Sequence, residues 1–320
     1  MTGPTRRQAA GPWWRQTSPG RYVPSAVDSL DVEQHVLEQA FRLGGYGAVT
    51  AWASLRWRGA GFFDATQYPL EGLLPVPVVL AGGLLRPDPR LLISRAQLAP
   101  SEWEQVRGIR CTTVQRALFD EVVRRGQLRS GVVAVDMAMA AGLISCALLI
   151  RYVAECGPRT GVRLLRKVLR LASEGSRSPQ ETLMRLIWIL DAALPPPLCN
   201  VPVFDLDGHL LGIPDLFDEQ AGLVGEYDGA HHKEQARHQR DVAREDRFRD
   251  AGLEYFELVG GDLRDRSLCV DRMRRARSRA KFLPPESRAW TLQPPPWYAV
   301  PATLDERLRA LGLADRLWRR

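Results

Sequence analysis

The 320-residue sequence predicts a mixed α/β (α+β) chain, with a mainly helical first part followed by a part ordered α-β-β-β-α-β. Three observations carry that expectation. Apolar residues recur at helical spacing over 31–43 and 162–172. Asp207-Gly208 separates two β-prone runs, the strongest short-range hairpin signal. Ser178-Pro179-Gln180-Glu181 has the form of a capping box with proline at the first helical position, and it opens a new segment. With 45% hydrophobic and 25% charged residues the chain is neither fibrous nor wholly disordered, and its length calls for more than one domain.

Residues 1–25 carry Arg6, Arg7, Arg15 and Arg21, no acid, and no apolar run of the signal-peptide kind. They are expected to form a flexible basic arm. Over 31–43 a helix places Val32, Val36, Leu37, Ala40 and Phe41 on one side and closes at Gly44-Gly45; a second begins at Thr50. The β-prone runs 77–80 and 91–94 follow, so 26–110 fits a winged helix-turn-helix, and equally any small α+β domain. Residues 111–175 read as a helical connector. Its last helix sets Val162, Leu165 and Leu169 against Arg163, Arg166, Lys167 and Arg170, either a solvated face or a phosphate-binding one.

From Ser178 a helix runs to about residue 193, where Pro195-Pro196-Pro197 stops it. Strands over 201–204 and 210–217 pair across Asp207-Gly208, and a third strand covers 223–228. A charged helix over 237–251 closes at Gly252, an alternating strand covers 254–259, and a further helix covers 263–281. Residues 176–283 make this domain; 284–320 form a Pro-rich link and a last helix capped by Thr303 and Glu306.

The formal charge of +7 is unevenly placed. Residues 1–175 hold 22 Lys and Arg against 14 acids, and residues 176–320 hold 22 against 23. From Leu186 to His232 there is no Lys or Arg, yet Asp191, Asp205, Asp207, Asp215, Asp218, Glu219, Glu226 and Asp228 all fall there. Something beyond the local side chains must balance them: solvent, for those on turns, or a divalent cation, for those that converge. Five cysteines without a C-x-x-C pair support neither a zinc ribbon nor a disulfide framework, and the apolar stretches 72–85 and 137–150 are too short to span a bilayer. A cytoplasmic protein with no membrane partner is expected.

In a strand, Glu226 and Asp228 share a face, and an antiparallel return brings Asp215 beside Glu226. Hard oxygen ligands on neighbouring strands, with positions left for water and phosphate, suit Mg²⁺ (or Mn²⁺). His231, His232 and His238 follow within a dozen residues, and an imidazole there can move protons at neutral pH. Arg237, Arg240, Arg244 and Arg247 fall within one narrow arc of the charged helix, a stripe suited to nucleic-acid backbone. The run from Arg272 to Lys281 continues the basic theme, or is an ordinary solvated face.

The segment Pro214-Asp215, Glu226-Tyr227-Asp228-Gly229-Ala230-His231-His232, Arg240-Asp241 and Arg247 resembles the PD-(D/E)XK nuclease superfamily, in its Vsr-like (very-short-patch-repair-like) branch. The resemblance covers about 176–283 and implies a restriction-endonuclease-like core. It also implies Asp215 and Glu226 as ligands of Mg²⁺ (or Mn²⁺), His232 as an aid to proton transfer, and DNA as substrate, in repair or phage defence. Glu181 matches the acid often contributed by the first helix; a capping role explains it equally. The superfamily's lysine is replaced by Asp228, so either Lys233 reaches in or Asp228 itself binds metal. Residues 48–60 resemble the winged-helix region of AbiEi-type antitoxins and regulators, which would make Arg56 and Arg58 DNA contacts rather than a solvated helix end. Two functions stand side by side: a metal-dependent DNA endonuclease, or a DNA-binding regulator or antitoxin whose nuclease-like domain is inactive, with a partner toxin or a second copy. RNA as substrate is a third.

Overall fold

The computed structural model describes residues 3–66, 72–229 and 244–313. It is mixed α/β and divides into two compact units. The first comprises residues up to Gly126, Leu148–Leu165 and residues from Leu308; the second comprises Gln127–Ala147 and Arg166–Arg307.

The first unit begins with α1 (Arg6–Ala9) and an antiparallel hairpin, β1 (Trp14–Ser18) and β2 (Arg21–Pro24). The expected loose arm is thus folded: Gly20, at φ +74°, makes the turn, and Arg15 holds Glu38 through two bonds, the shorter 2.7 Å. Next come α2 (Val32–Ala40), β3 (Gly47–Val49), α3 (Ala51–Trp57), β4 (Val76–Leu80), β5 (Leu91–Ser94), β6 (Trp103–Val106), β7 (Ile109–Thr112) and α4 (Val114–Arg125). Asp31 caps α2 by accepting the Gln34 N–H at 2.6 Å.

The mainly helical character expected of this region is corrected by a five-stranded sheet of order β5-β4-β3-β7-β6. The expected helix-turn-helix is interrupted by β3 between α2 and α3. Ala48 and Val49 are fully buried, and a Cβ on Gly47 would meet the Leu80 side chain at 2.7 Å. The β-prone runs 77–80 and 91–94 form β4 and β5 as expected, whereas β3, β6 and β7 are runs of three or four residues too short to show a strand period. The expected boundary at 110/111 also falls inside β7, whose Cys111 pairs with Val49.

The expected connector, 111–175, is divided between the units. After α4 the chain forms α5 (Leu128–Ala140), α6 (Cys146–Glu155) and α7 (Val162–Leu169). α5 belongs with the second unit, where α8 (Pro179–Leu190) packs on it. The joint is polar and buried: fully enclosed Asp136 accepts from Arg185 Nη2 at 2.6 Å, from Thr182 Oγ1 at 2.9 Å and from the Ser173 N–H at 2.8 Å.

The second unit continues with β8 (Val203–Asp205), β9 (Leu210–Gly212), β10 (Leu216–Asp218), β11 (Leu223–Asp228), a helical segment α9 (244–250), β12 (Glu254–Val259), α10 (Arg266–Arg279), β13 (Trp290–Thr291) and α11 (Leu304–Ala310). The hairpin across Asp207-Gly208 forms as expected, but the single strand expected over 210–217 is two. Pro214 has no N–H to give a ladder, and the chain leaves one sheet there and enters another. β13-β8-β9 is one sheet and β10-β11-β12 the other, with β11 antiparallel to β10 and parallel to β12. The Pro-rich link is anchored here, because Trp290 pairs with Asp205 and stacks edge-on to Phe217 at 5.1 Å.

Alternation divides the β10-β11-β12 sheet into two faces. Leu216, Leu223, Phe256 and Leu258 join Met184, Ile187 and Trp188 of α8 and Met273 of α10 in one core. Phe217, Val224, Leu253 and Tyr255 join Phe248 of α9 and Trp290 in the other. Thr303 and Glu306 cap α11 reciprocally, the Thr303 N–H donating at 2.8 Å and the Glu306 N–H at 3.2 Å.

Candidate active site

The second face changes chemistry along its length. Register pairs Phe217 with Val224 and Leu216 with Gly225, so the next position sets Asp215 beside Glu226. On the other side Val224 pairs with Tyr255 and Glu226 with Glu257. Apolar at the start of β11 and acidic at its end, this face carries Asp215, Glu226, Asp228 and Glu257 where two parallel strands terminate. Carboxyl ends of parallel strands are where open α/β sheets take ligands. Gly225 lies on the opposite face and lets Phe256 close against the sheet, since a Cβ there would meet the ring at 2.5 Å.

These groups line a cleft of about 190 Å³ formed by Asp215, Glu226, Tyr227, Asp228, Arg244, Tyr255 and Glu257. Asp215 Oδ2 accepts the Tyr227 N–H at 2.8 Å. Burial pushes the Asp215 carboxyl up to about 6, and the Glu181 carboxylate adds to the rise against the pull of the Tyr227 N–H, Arg244 and Arg177. Glu226 is nearly enclosed and its Oε2 meets Arg244 Nη2 at 2.8 Å. The Tyr255 phenol is held well above its ordinary range by burial and by the carboxylates of Glu226 and Glu257. Several like charges thus share a partly desolvated space with one arginine, a pattern concentrated at functional sites.

Five sequence candidates meet here: Asp215, Glu226, Asp228 and Arg244 in the cleft, and Glu181 close enough to shift Asp215. Glu181 is not a simple capping-box acid. Ser178 Oγ accepts the Glu181 N–H at 3.1 Å, but the Glu181 carboxylate accepts from the Arg177 N–H and from Asn200 Nδ2, each at 2.8 Å. His231, His232, Lys233, Arg237, His238 and Arg240 lie outside the described residues. Arg244 and Arg247, placed by the sequence on a phosphate-facing stripe, turn inward: Arg244 to Glu226, and Arg247 Nε to the Leu211 carbonyl at 3.2 Å.

Arg56 and Arg58 are likewise held within their own unit. Arg56 Nε meets Glu33 at 2.7 Å, while Arg58 Nη2 donates to the Thr112 carbonyl at 2.8 Å and meets Glu104 at 2.9 Å. In the basic run of α10, Arg277 meets Asp218, Arg279 meets Glu254, and Arg272 meets Asp262. The cation-free acidic stretch is therefore balanced in part by arginines from outside it, through Arg129–Asp191, Arg277–Asp218, Arg288–Glu219 and Arg244–Glu226.

Glu257 and Tyr255 were missed by sequence reasoning. The alternation of 254–259 places them on one face, but only the parallel register brings that face beside Glu226. For metal binding the donor set is hard and anionic, as Mg²⁺ requires, and the raised Asp215 is the carboxylate a cation would most relieve. The fit is an open one. Among the described residues, the group of three acid or histidine donors lying within 4.8 Å of one another is Asp205, Asp207 and His209 on the exposed β8–β9 turn. There His209 serves the turn itself, its N–H donating to Asp205 Oδ1 at 2.8 Å. Mg²⁺ in the cleft would rest on Asp215 and Glu226 and keep several of its waters.

Compared with known proteins, the chain matches no family model, no curated protein and no solved structure. Among the described residues no helix is long and apolar enough to cross a membrane.

Proposed function

We propose that the second unit is a restriction-endonuclease-like, metal-dependent hydrolase of DNA phosphodiesters, acting in the cytoplasm in repair or phage defence. The observation that carries the reading is the meeting of Asp215 and Glu226 at the carboxyl end of β11, with Asp215 pushed up to about 6 by burial and crowding. Neighbouring carboxylates held in a partly desolvated cleft need a reason, and cation binding is the economical one. Mg²⁺ there would supply Lewis-acid polarisation of a phosphodiester and of a water.

The chain's own residues do the rest. Asp215, which lines the cleft, is oriented by the Tyr227 N–H on its Oδ2. Arg244 pairs with Glu226; were Glu226 to hold a cation, the Arg244 guanidinium would be available to receive a phosphate oxygen. Asp228 and Glu257 add negative potential that would attract a cation, and the Glu181 carboxylate helps raise Asp215. His232 and Lys233 are the proposed proton-transfer groups on the strength of the sequence resemblance alone.

The test is nicking of supercoiled plasmid by purified protein. Mg²⁺-dependent nicking that is lost on Asp215→Ala and on Glu226→Ala is expected, and nicking that survives both substitutions sinks the site. One observation favours the second reading, a DNA-binding regulator or antitoxin with an inactive nuclease-like domain. Asp228 stands where the superfamily has lysine, and Glu226 is already matched by Arg244. That reading predicts salt-sensitive binding to a specific duplex with no effect of Mg²⁺ or Mn²⁺.

A further inference from the structure

The first unit contains a cleft of about 830 Å³ between α1, the β1–β2 hairpin and α2. Its chemistry is lopsided. Glu38 is the one carboxylate in its lining, and that group is already held by both guanidinium nitrogens of Arg15 and by Gln34 Nε2 at 3.0 Å. Arg6 and Arg21 line the same cleft and make no ion pair among the described residues. Residues 1–27 contain no acid. Beside them Phe41 is half exposed, with the Arg21 guanidinium 5.7 Å from its ring centroid. Leu37 and Val23 complete an apolar wall.

Two guanidinium groups with no ion pair among the described residues, next to a half-exposed aromatic ring, are the parts of a stacking platform. Arginine takes the phosphate, the ring takes the flat base, and the apolar wall excludes water from the stack. Within a duplex the faces of each base are covered by its stacked neighbours, so a duplex does not fit this arrangement. The volume is ample for one nucleotide. The lining's one carboxylate is committed to Arg15 and Gln34, so a 2′-hydroxyl would gain no free charged acceptor there, and DNA is the occupant chosen.

We propose that this cleft binds an unpaired nucleotide of single-stranded DNA, its base on Phe41 and its phosphate between Arg6 and Arg21. The proposal stands on the first unit alone and does not depend on the hydrolase reading of the second. The test is fluorescence anisotropy of labelled dT15 with the full chain in EDTA, where metal-dependent cleavage is silent. Phe41→Ala is expected to weaken binding about tenfold with an unchanged salt slope, while Phe41→Trp restores it. Arg6→Ala/Arg21→Ala is expected to reduce the salt slope by about one.

Unlabelled dT15 is expected to displace the probe far better than a 15-residue polyglutamate or a 15-bp duplex. Binding by Phe41→Ala at wild-type strength overturns the proposal. So does displacement by polyglutamate as effective as by dT15, which shows a surface reading charge alone, and so does a tenfold preference for rU15. Matched thermal unfolding of the variants separates a lost platform from a lost fold.

Discussion

Asp215 shows how a functional carboxylate is built at the cost of stability. Its folded-state pKa, pushed up to about 6, lies above that of an unfolded aspartate, so between the two values the native protein holds the extra proton. The penalty is therefore absent below about pH 4, grows through the window and is complete above about pH 6. Asp215→Asn keeps an oxygen for the Tyr227 N–H and removes the charge. It is expected to abolish metal-dependent cleavage yet stabilise the protein by about 3 kcal/mol at pH 8, with no gain at pH 3.5. Urea unfolding at the two pH values measures this; equal stability of variant and wild type at pH 8 contradicts the crowded-carboxylate account.

The same scale shows what the sequence could reveal. Strand alternation set Glu226 and Asp228 on one side, and Pro214 located Asp215 beside them. The inward turn of Arg244 was illegible, because a helical arc gives the direction of a stripe relative to its own axis and says nothing of which direction faces the sheet. Glu257 was illegible for a related reason: its neighbour Glu226 lies 31 positions away in sequence, joined to it by a parallel register that no local turn specifies.

Among the elements, three with strong local signals stand as the sequence predicts. The Asp207-Gly208 hairpin, β11 over 223–228 and β12 over 254–259 all stand where alternation and turn chemistry put them. α5 was read as part of a connector because its tie to α8, Asp136 with Arg185, spans 49 residues. Both partners are buried, so removing one leaves the other charged and unmatched. Asp136→Ala is expected to destabilise the second unit by about 3–5 kcal/mol in chemical denaturation. A loss under 1 kcal/mol would mean that α5 packs independently of that ion pair. A gentler probe of the sheet is Gly225→Ala, whose methyl meets the Phe256 ring at 2.5 Å. It should cost about 1–3 kcal/mol and also weaken metal binding, since Phe256 underlies the strand that carries Glu226. Unchanged stability would show that the ring can move aside.

At the scale of the whole chain, the placement of charge proved more informative than its sum of +7. Many arginines that the sequence offers as a nucleic-acid track are matched within the fold, as Arg56, Arg58, Arg277 and Arg279 are by Glu33, Glu104, Asp218 and Glu254. Arg6 and Arg21 line a cleft and make no ion pair among the described residues. Salt dependence of DNA binding should accordingly be shallower than the arginine count suggests, and the Arg6→Ala/Arg21→Ala variant should lower it further. A slope that responds instead to Arg56→Ala would show that the first unit binds by its α3 end.

The central claim is that the acidic end of β11 holds a divalent cation. Titration of Mn²⁺ into the full chain, followed by the loss of the free-ion electron paramagnetic resonance signal, reads this without requiring turnover. One site is expected in the wild type, weakened at least tenfold by Asp215→Asn and by Glu226→Gln and unaffected by Asp207→Asn on the exposed turn. Wild-type affinity in both cleft variants, or a site that vanishes with Asp207→Asn, contradicts it.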